Sequence, residues 1–425
     1  MNRTYLRVRL ALASDWRTGV WDAGSANRQG TARDGRDAAR PALPGSSIVG
    51  SLRRAAQERG VDVALFGTRD ISSIESSPWW LLGVRLNGSP GLAQRKQTSI
   101  DRWRRSAASG GLRELEYVEA APDDTLDLYF RADDVHPDQL IAVLLEWRNA
   151  QIGAGETVGL GRVRVTEIRH RTFNLIEKDD VRALVTAASG GPERVDALLQ
   201  SAATVDLSSA EAPPPMLRVM FRLDEACVPT DERLRHYGSQ WKGLLRSRVE
   251  YVARSLGHPA CLPDDGTSWT GCGHCDLCEA FGSAESGVGA WRFEMSPWEV
   301  DAEQLIPVEG KTGHGRVRVA LNRFTGGTLS GALASDERTL TDVGVALTVT
   351  QTRPVADWVT DALLHAVRDL KDGLVSVTGQ GGIGFGTVAE VLSAVYAKDA
   401  SADPTEVAWT QLPAVLPVWK ESADA

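Results

Sequence analysis

The sequence predicts an α+β protein made of two tandem ferredoxin-like (RRM-like) domains, each with the element order βαββαβ. The first observation is an internal repeat. The phrase GSSIVGSLRR (45–54) recurs as GSQWKGLLRS (238–247), with Gly, Ser, Gly, Leu and Arg at five shared positions. Three more pairs recur in the same order: LFG (65–67) with AFG (280–282), IDRWRRSAASGGL (100–112) with LNRFTGGTLSGAL (321–333), and GLGRVRV (159–165) with GFGTVAE (384–390). Ordered self-similarity of this kind indicates a duplicated unit.

The second observation is the order of predicted elements within each half. Each half opens with the alternation typical of a half-buried strand, YLRVRLAL (5–12) and MLRVMFRL (216–223). The repeated phrase then predicts a helix start, which Ser46 or Ser47 caps in the first half and Gly60 ends. A strand–loop–strand segment, an amphipathic helix (136–151 and 355–372), a glycine-rich loop and a last strand complete each half.

These elements place the domain boundaries. We expect a first domain over 1–180, a linker over 181–215, a second domain over 216–396 and a C-terminal tail over 397–425. The linker is rich in Gly, Ser and Ala, and it ends in prolines that prevent a helix from continuing. The apolar end of the tail, VAWTQLPAVLPVW, is expected to dock on the body or on a partner.

The composition is that of a soluble globular protein, with 42% hydrophobic and 24% charged residues. The N-terminus lacks a secretory signal pattern and no run of about 18 apolar residues occurs, so we expect a cytoplasmic protein. The net charge of -9 argues against nucleic-acid binding over the whole surface. Basic stripes near 28–59 and 95–105 can still bind phosphate locally, because solvent screens distant charges.

Two glycine-rich patterns resemble nucleotide-binding loops, and both fail the test of context. GSSIVGS has Ser51 where a P-loop needs lysine. GAGETVGLG (153–161) and GQGGIGFG (379–386) follow a predicted helix and enter a strand, which is the reverse of a dinucleotide-binding turn. Each loop is therefore either a flexible turn or a place where a polymer comes close to the backbone.

Four clustered cysteines predict a structural zinc site in an insertion at about 258–280. Cys261, Cys272, Cys275 and Cys278 lie within eighteen residues and can supply four thiolates to a tetrahedral ion. His258 or His274 is an alternative fourth ligand. Four protein ligands leave no open position for water, which argues against catalytic zinc.

These residues together resemble the RAMP superfamily, the backbone subunits of type III CRISPR effector complexes. LPGSSIVGSLR is similar to the family pattern I-P-G-S-S-x-x-G-x-x-R, LNRFTGGTLSGAL to [D/N]-R-x-T-G-x-x-x-x-G-x-L, and CGHCDLCEAFG to its zinc motif followed by L-F-G. The resemblance covers most of both halves and is nearest to subunits that fuse two backbone units. It implies ferredoxin-like domains that bind guide CRISPR RNA and target RNA beside other subunits of the complex.

The resemblance also implies a set of RNA-binding residues. The helix start offers N–H and hydroxyl donors to phosphate, basic side chains add charge, and aromatic residues of a hairpin stack on bases or separate them, unless they pack in the core. The residues expected to contact RNA are Gly45, Ser46, Ser47, Gly50, Arg53, Arg54, Arg102, Trp103, Arg104, Arg105, Gly159 and Gly161 in the first half, and Gly238, Ser239, Lys242, Gly243, Arg246, Arg323, Phe324, Gly384 and Gly386 in the second.

The resemblance further implies that any cleavage of target RNA would use an aspartate in the loop before the repeated phrase, together with Mg²⁺ or Mn²⁺. The candidates are Asp22, Asp34, Asp37 and Asp231. The position at which the family usually has its catalytic acid corresponds to about Arg28 in this sequence, which is not acidic. Two alternatives stay open. One is a guide-RNA-processing endoribonuclease with His236 or His314 as general base, and the other is a zinc-stabilised scaffold that binds only protein.

Overall fold

The computed structural model divides the chain into two compact units, Met1–Pro213 and Pro214–Ala425, each containing both helices and sheets. The division falls within the range predicted as linker. The structure describes residues 1–21, 28–35, 37–58, 60–61, 63–67, 76–101, 106–147, 151–187, 190–207, 215–223, 238–261, 271–297, 316–322, 324–336, 343–376, 388–398 and 402–418.

The first unit contains eight strands and four α-helices among its described residues. In chain order they are β1 Asn2–Leu12, β2 Gly19–Trp21, β3 Arg28–Thr31, α1 Gly45–Glu58, β4 Trp79–Asn87, β5 Gly91–Asp101, β6 Ser106–Glu119, β7 Thr125–Asp133, α2 Asp138–Glu146, β8 Val163–Asn174, α3 Lys178–Thr186 and α4 Gly191–Leu198. Short 3₁₀ turns lie at Val63–Phe66 and Glu156–Val158. Helix α1 begins at Gly45, one residue before the predicted caps, and Gly60 follows its end with φ +68°.

The main sheet of this unit has the strand order β4-β7-β1-β8, with every neighbouring pair antiparallel. The alternation in β1 places Leu6, Val8 and Leu10 on the buried face. These side chains share one core with Ile48 of α1 and Leu140 of α2, so both helices lie on that face of the sheet. Burial of alternate strand residues against two amphipathic helices is what the sequence pattern predicts.

A second sheet carries a long hairpin. Its strand order is β2-β3-β6-β5, and β5 pairs with β6 from Gly91↔Glu119 to Asp101↔Ser106. The hairpin lies between β4 and β7 in sequence, at the strand–loop–strand segment predicted for the first half.

The linker interpretation does not describe residues 181–199. Helix α3 and helix α4 occupy most of this range, and they cover the face of the main sheet that lies opposite α1 and α2. Their contacts form a second buried cluster of Tyr5, Tyr129, Phe173, Leu184, Val195, Leu198 and Leu199. The sequence predicted a linker here because both helices are polar and each buries only a few apolar residues.

The second unit repeats this plan with a cysteine-rich insertion. In chain order its elements are β9 Leu217–Leu223, α5 Ser239–Ser255, α6 Asp276–Phe281, β10 Gly282–Ser283, β11 Gly287–Val288, β12 Trp291–Pro297, β13 Arg316–Leu321, β14 Thr328–Asp336, β15 Val343–Gln351, α7 Asp357–Lys371, β16 Val388–Tyr396 and β17 Thr405–Glu406. Its sheet has the order β12-β15-β9-β16-β17, and β13 and β14 form a separate hairpin. Helices α5 and α7 pack on the sheet around Phe221, Trp241 and Leu363.

The C-terminal tail docks on the second unit. Strand β17 extends the sheet by pairing with β16, and Trp409, Leu412 and Val415 pack against the core. The side chains of His258 and His365 hydrogen-bond to tail carbonyls, at 2.7 Å from Leu416 O and 2.8 Å from Pro413 O. The expectation of docking on the body is therefore confirmed for residues up to 418. No helix in the described part of the chain is long and apolar enough to cross a membrane.

Candidate metal centre and nucleic-acid interface

Four cysteine thiols converge in the second unit. The sulfur atoms of Cys261, Cys272, Cys275 and Cys278 all lie within 4.8 Å of one another, and none forms a disulfide. Cys261 Sγ is 3.5 Å from the sulfurs of Cys272 and Cys275 and 3.2 Å from that of Cys278. Tetrahedral thiolates at about 2.3 Å from a zinc ion would lie about 3.8 Å apart, so the cluster needs little adjustment to hold a metal ion.

Local backbone geometry places these thiols. Cys275 is the N-cap residue of α6, and Cys278 lies on the helix itself. Gly271 and Gly273 adopt φ +92° and +80°, a region that favours glycine, and they turn the chain between the ligands. A Cβ on Gly271 would lie 2.9 Å from Cys278 Sγ, so a side chain there would crowd the cluster.

Hydrogen bonds and burial shift the pKa values of the thiols in opposite directions. The hydrogen bond from Cys275 lowers the pKa of the Cys261 thiol, whereas the hydrogen bond with Cys261 raises the pKa of Cys275 and burial raises that of Cys278. Without an ion, the cluster therefore favours a single thiolate at Cys261. The two histidines offered as alternative ligands do not belong to this group of clustered ligand atoms. His258 stacks on Trp358 with ring centroids 4.1 Å apart and contacts the tail carbonyl, and His274 is exposed. Among the described residues, the four thiols are the grouped metal ligands.

A buried arginine of the repeated phrase contacts the cysteine cluster. Arg246 is 7% exposed and donates to Glu250 Oε1 at 2.9 Å, to Gly282 O at 2.5 Å and to Cys278 Sγ at 3.4 Å. These contacts hold the guanidinium inside the protein, and an RNA contact of Arg246 stays a prediction. Its positive charge offsets thiolate charge in the cluster.

The equivalent arginine of the first unit has a related role. Arg53 donates to the carbonyl oxygens of Phe66 and Gly67, the last at 2.7 Å. Arg53 therefore binds the LFG turn as Arg246 binds the AFG turn, so both copies fasten their helix to the segment that recurs after it. Sequence reasoning missed this role, although the joint recurrence of arginine and L/A-F-G was visible. An RNA contact of Arg53 stays a prediction.

Two other predicted basic contacts have internal partners or are partly buried. Arg54 forms an ion pair with Glu156, a buried acid in the first glycine-rich loop. Burial lowers the pKa of Lys242 to about 8, and repulsion from Arg246 adds to the effect. Both RNA contacts stay predictions.

The first and second glycines of the repeated phrase differ in their surroundings. A Cβ on Gly45 would lie 3.0 Å from Leu81 Cδ2, and one on Gly238 would overlap the carbonyl oxygen of Phe293. Each first glycine therefore lets its helix approach the neighbouring strand. A Cβ on Gly50 or Gly243 would meet no atom of the described structure within 4 Å. Packing within the described residues gives no reason for the second glycine in either copy.

The serines at the two helix starts lie at the surface. Ser46 is exposed, whereas Ser47 and Ser239 are half-buried. The first helix start has no acidic residue in its first turn, and neither does that of α5. A helix start with no acidic residue in its first turn keeps its favourable field for an external anion.

The first glycine-rich loop is ordered by hydrogen bonds to the segment after β1. Gly161 N donates to Asp15 O at 2.7 Å, and Ala154 N donates to Arg17 O at 2.8 Å. Side chains on Gly153 and Gly161 would overlap backbone carbonyls. These contacts attach the loop to the segment after β1, and RNA contacts of Gly159 and Gly161 stay predictions. Gly384 and Gly386 lie outside the described residues.

The hairpin of the second unit presents an aromatic residue to solvent. Phe324 is 100% exposed, so the core-packing alternative is wrong for this residue. The side-chain oxygen of Asn322 accepts hydrogen bonds from the backbone N–H groups of Phe324 and Thr325, at 2.9 and 3.3 Å. The turn thus holds the backbone that carries the ring. The corresponding first-half residues Arg102, Trp103, Arg104 and Arg105, and also Arg323, lie outside the described residues.

Two of the four candidate catalytic acids are described. Asp34 and Asp37 lie in a short loop between β3 and α1, closed by the hydrogen bond from Asp34 N to Arg40 O at 2.9 Å. Asp37 is exposed, and Asp34 is half-buried. Asp22, Asp231, His236 and His314 lie outside the described residues. No described carboxylate joins a metal-binding group, since the one such group found there is the cysteine cluster.

Comparison with known proteins gives one family. A family model described as the RAMP superfamily matches residues 30–164 and 237–389, which together exceed half of the chain. Among 146 matching chains of solved structures is one described as a type III-B Cmr-beta cryo-EM structure of the apo state. That match has 11% sequence identity and a TM-score of 0.29, and it covers 38% of this chain and 96% of the other. No curated protein matches the chain.

Proposed function

The chain belongs to the RAMP superfamily, and from that premise we propose that it is a guide-RNA-binding backbone subunit of a type III CRISPR effector complex. In this proposal each unit binds its own segment of guide RNA and presents it to complementary target RNA. Other subunits of the complex are the expected protein partners. The two family matches, one in each unit, support a chain that fuses two backbone units.

We infer that each main sheet is a ferredoxin-like domain. The order of core elements supports this in both units: strand, helix, two strands, helix and strand. The last strand of each set lies beside the first, and the third lies between the first and second, as in the split βαβ arrangement. The hairpins β5–β6 and β13–β14 are insertions between the second and third core strands.

The pair Gly50 and Gly243 carries the functional proposal. Both lie inside a helix, where glycine costs about 1 kcal/mol relative to alanine. No described neighbour would meet a Cβ at either position. A missing side chain on an open helix face allows an external backbone to approach closely. A sugar-phosphate backbone lying over both helix starts accounts for this cost in both units.

The exposed aromatic residue supports the same function. A fully exposed phenylalanine in an ordered turn gains nothing from the folded protein, since burial is what makes the ring stabilising. Stacking of a base on an aromatic ring is worth about 1–3 kcal/mol, so nucleic acid is a suitable ligand for Phe324.

We infer that the ion of the cysteine cluster is zinc with a structural role. Four thiolates in tetrahedral reach are the ligand set that zinc prefers in structural sites. The cluster links residue 261 to α6 in the second unit, and Arg246 connects it to α5.

The test of RNA binding measures the affinity of the full chain for a single-stranded guide RNA across a series of salt concentrations. We expect log affinity to fall steeply and linearly with log salt, because bound phosphates release counterions. Gly50→Ala and Gly243→Ala should each weaken binding, and Gly190→Ala is a matched control at another open glycine. Salt-independent or absent RNA binding would instead favour the protein-only scaffold.

Target cleavage is a second, separable part of the proposal. Mg²⁺ is commonly held by one or two carboxylates plus substrate phosphates, so an exposed Asp37 could share an ion with bound RNA. Asp34→Ala and Asp37→Ala are expected to abolish cuts opposite the first unit while leaving RNA affinity unchanged. Unchanged products in Mg²⁺ or Mn²⁺ from both variants, and from Asp22→Ala and Asp231→Ala, would assign cleavage to another subunit.

A further inference from the structure

One buried arginine of the first unit has no partner of opposite charge among the described residues. Arg17 is 7% exposed, and its Nη2 donates to the neutral amide of Gln29 at 2.7 Å. In the part of the chain that the structure describes, its Nε has no hydrogen-bond partner. Among the described residues no carboxylate pairs with it, in contrast to Arg9, which binds Asp127, and Arg33, which binds Glu116.

An unpaired buried cation is unfavourable in a folded protein. Transfer of a charge from water into the interior is costly unless an opposite charge and hydrogen bonds compensate. Burial lowers the pKa of Arg17, but an arginine stays protonated at neutral pH. An external anion would supply the missing charge.

The surface above Arg17 has an opening at a glycine. Gly19 is exposed at the start of β2, and a Cβ on it would lie 3.2 Å from Arg17 Nη2. Because Gly19 has no side chain, the end of the guanidinium lies just beneath the surface. Its φ is not positive, so larger residues fit its backbone.

The position of Arg17 joins this opening to the predicted RNA-facing loop. Its carbonyl oxygen accepts the hydrogen bond of Ala154, and Gly153 packs on the same carbonyl. The next residue, Thr18, donates to Ala42 O at 2.8 Å, shortly before α1 begins. The segment therefore supports both the glycine-rich loop and the approach to the repeated phrase.

We propose that Arg17, reached through the opening at Gly19, is a binding site for a backbone phosphate of the RNA held by the first unit. This inference rests on the proposed function, because it identifies one phosphate contact within that RNA interface. The chemical class of the ligand is a phosphodiester anion. It binds by charge and hydrogen bonds and carries no base preference.

The experiment compares Arg17→Met, Gly19→Val and the wild-type chain in binding single-stranded RNA of mixed sequence over a range of salt. Loss of one phosphate contact on a single strand should reduce the slope of log affinity against log salt by about 0.7. Gly19→Val should weaken binding while keeping the charge. Arg182→Met is the matched control, since it removes an exposed arginine of α3 in the same unit.

Thermal unfolding of the same variants separates a ligand site from a structural residue. Arg17→Met should melt at or above the wild-type temperature, because it removes an uncompensated buried charge. An unchanged salt slope in Arg17→Met together with unchanged affinity in Gly19→Val would overturn the inference while the proposed function stands. Absence of salt-dependent RNA binding in the wild type would instead overturn the proposed function. If Arg17→Met does not fold, Gly19→Val decides.

Discussion

At the scale of single residues, the arginine at the ninth position of the repeated phrase serves two related structures. Arg53 binds the carbonyl oxygens of the LFG turn, whereas Arg246 binds the AFG turn and a thiol of the metal cluster. The second copy thus connects helix α5 to the cysteines through a buried guanidinium. Groups that contact metal ligands from outside often tune affinity by 10- to 100-fold.

Substitution of this arginine should affect the two units differently. We expect Arg246→Met to weaken zinc binding by about 10- to 100-fold, because it removes the hydrogen bond to Cys278 and the compensating charge. Competition with a chromophoric chelator measures that affinity directly. Arg53→Met is the matched control and should leave zinc affinity unchanged. Equal zinc affinity in both variants would contradict the role of Arg246.

The exposed ring gives a second prediction at this scale. Phe324→Ala should leave thermal stability within about 0.5 kcal/mol, as is usual for surface substitutions. Phe324→Ala should weaken binding of guide RNA, alone or paired with its target, because stacking of a base on the ring is lost. Phe293→Ala, a change in the buried core, should instead destabilise the second unit by about 3–5 kcal/mol. A large stability loss in Phe324→Ala would contradict the exposed position.

At the scale of elements, the two helices of the repeated phrase combine a fixed glycine with an open one. Gly238 lets α5 approach strand β12, and Gly243 leaves part of the helix surface bare. Opposite changes in stability should reveal the difference. Gly243→Ala should stabilise the isolated chain by about 0.5–1 kcal/mol, and Gly238→Ala should destabilise it. Denaturant unfolding measures both, and destabilisation by Gly243→Ala would show that a structural contact exists there.

The metal cluster should stabilise the second unit alone. Zinc removal by a chelator, or Cys272→Ser, should lower the melting temperature of the second unit while the first unit melts unchanged, because all four ligands lie in the second unit. Cys227→Ser is the matched control, since the sequence separates Cys227 from the four clustered cysteines. Separate transitions in calorimetry, with and without chelator, provide the measurement. Equal shifts in both transitions would contradict a local role.

The elements also show what sequence reasoning can and cannot reach. Strands such as β1 and helices such as α7 follow from their alternation and amphipathic spacing, and the cysteine spacing predicts the cluster correctly. The burial of Arg246 could not be predicted, because it depends on α6 and the AFG turn folding back on α5. Helices α3 and α4 were not predicted, because each has few apolar residues. Those residues are buried only by packing on the face of the main sheet that lies opposite α1 and α2.

At the scale of the whole molecule, two compact units each contain a copy of the same phrase. Changes in separate units without shared contacts usually add in free energy. The losses of RNA-binding free energy caused by Gly50→Ala and by Gly243→Ala should therefore add in the double variant, within about 0.5 kcal/mol. Titrations of the single and double variants test this. A double variant that binds as tightly as the weaker single variant, with the other single variant unchanged from wild type, would indicate that one unit alone binds the RNA.

The position of α4 has a further consequence for how charge is distributed on the first unit. Asp196 binds Arg7 and Arg85 at 2.9 and 2.8 Å and accepts the hydroxyl of Tyr129 at 3.1 Å. Glu193 and Asp196 of α4 thus pair with arginines of this sheet face from within the chain. Under the proposed function we therefore expect RNA to bind away from this sheet surface, the one on which RRM-type domains stack bases.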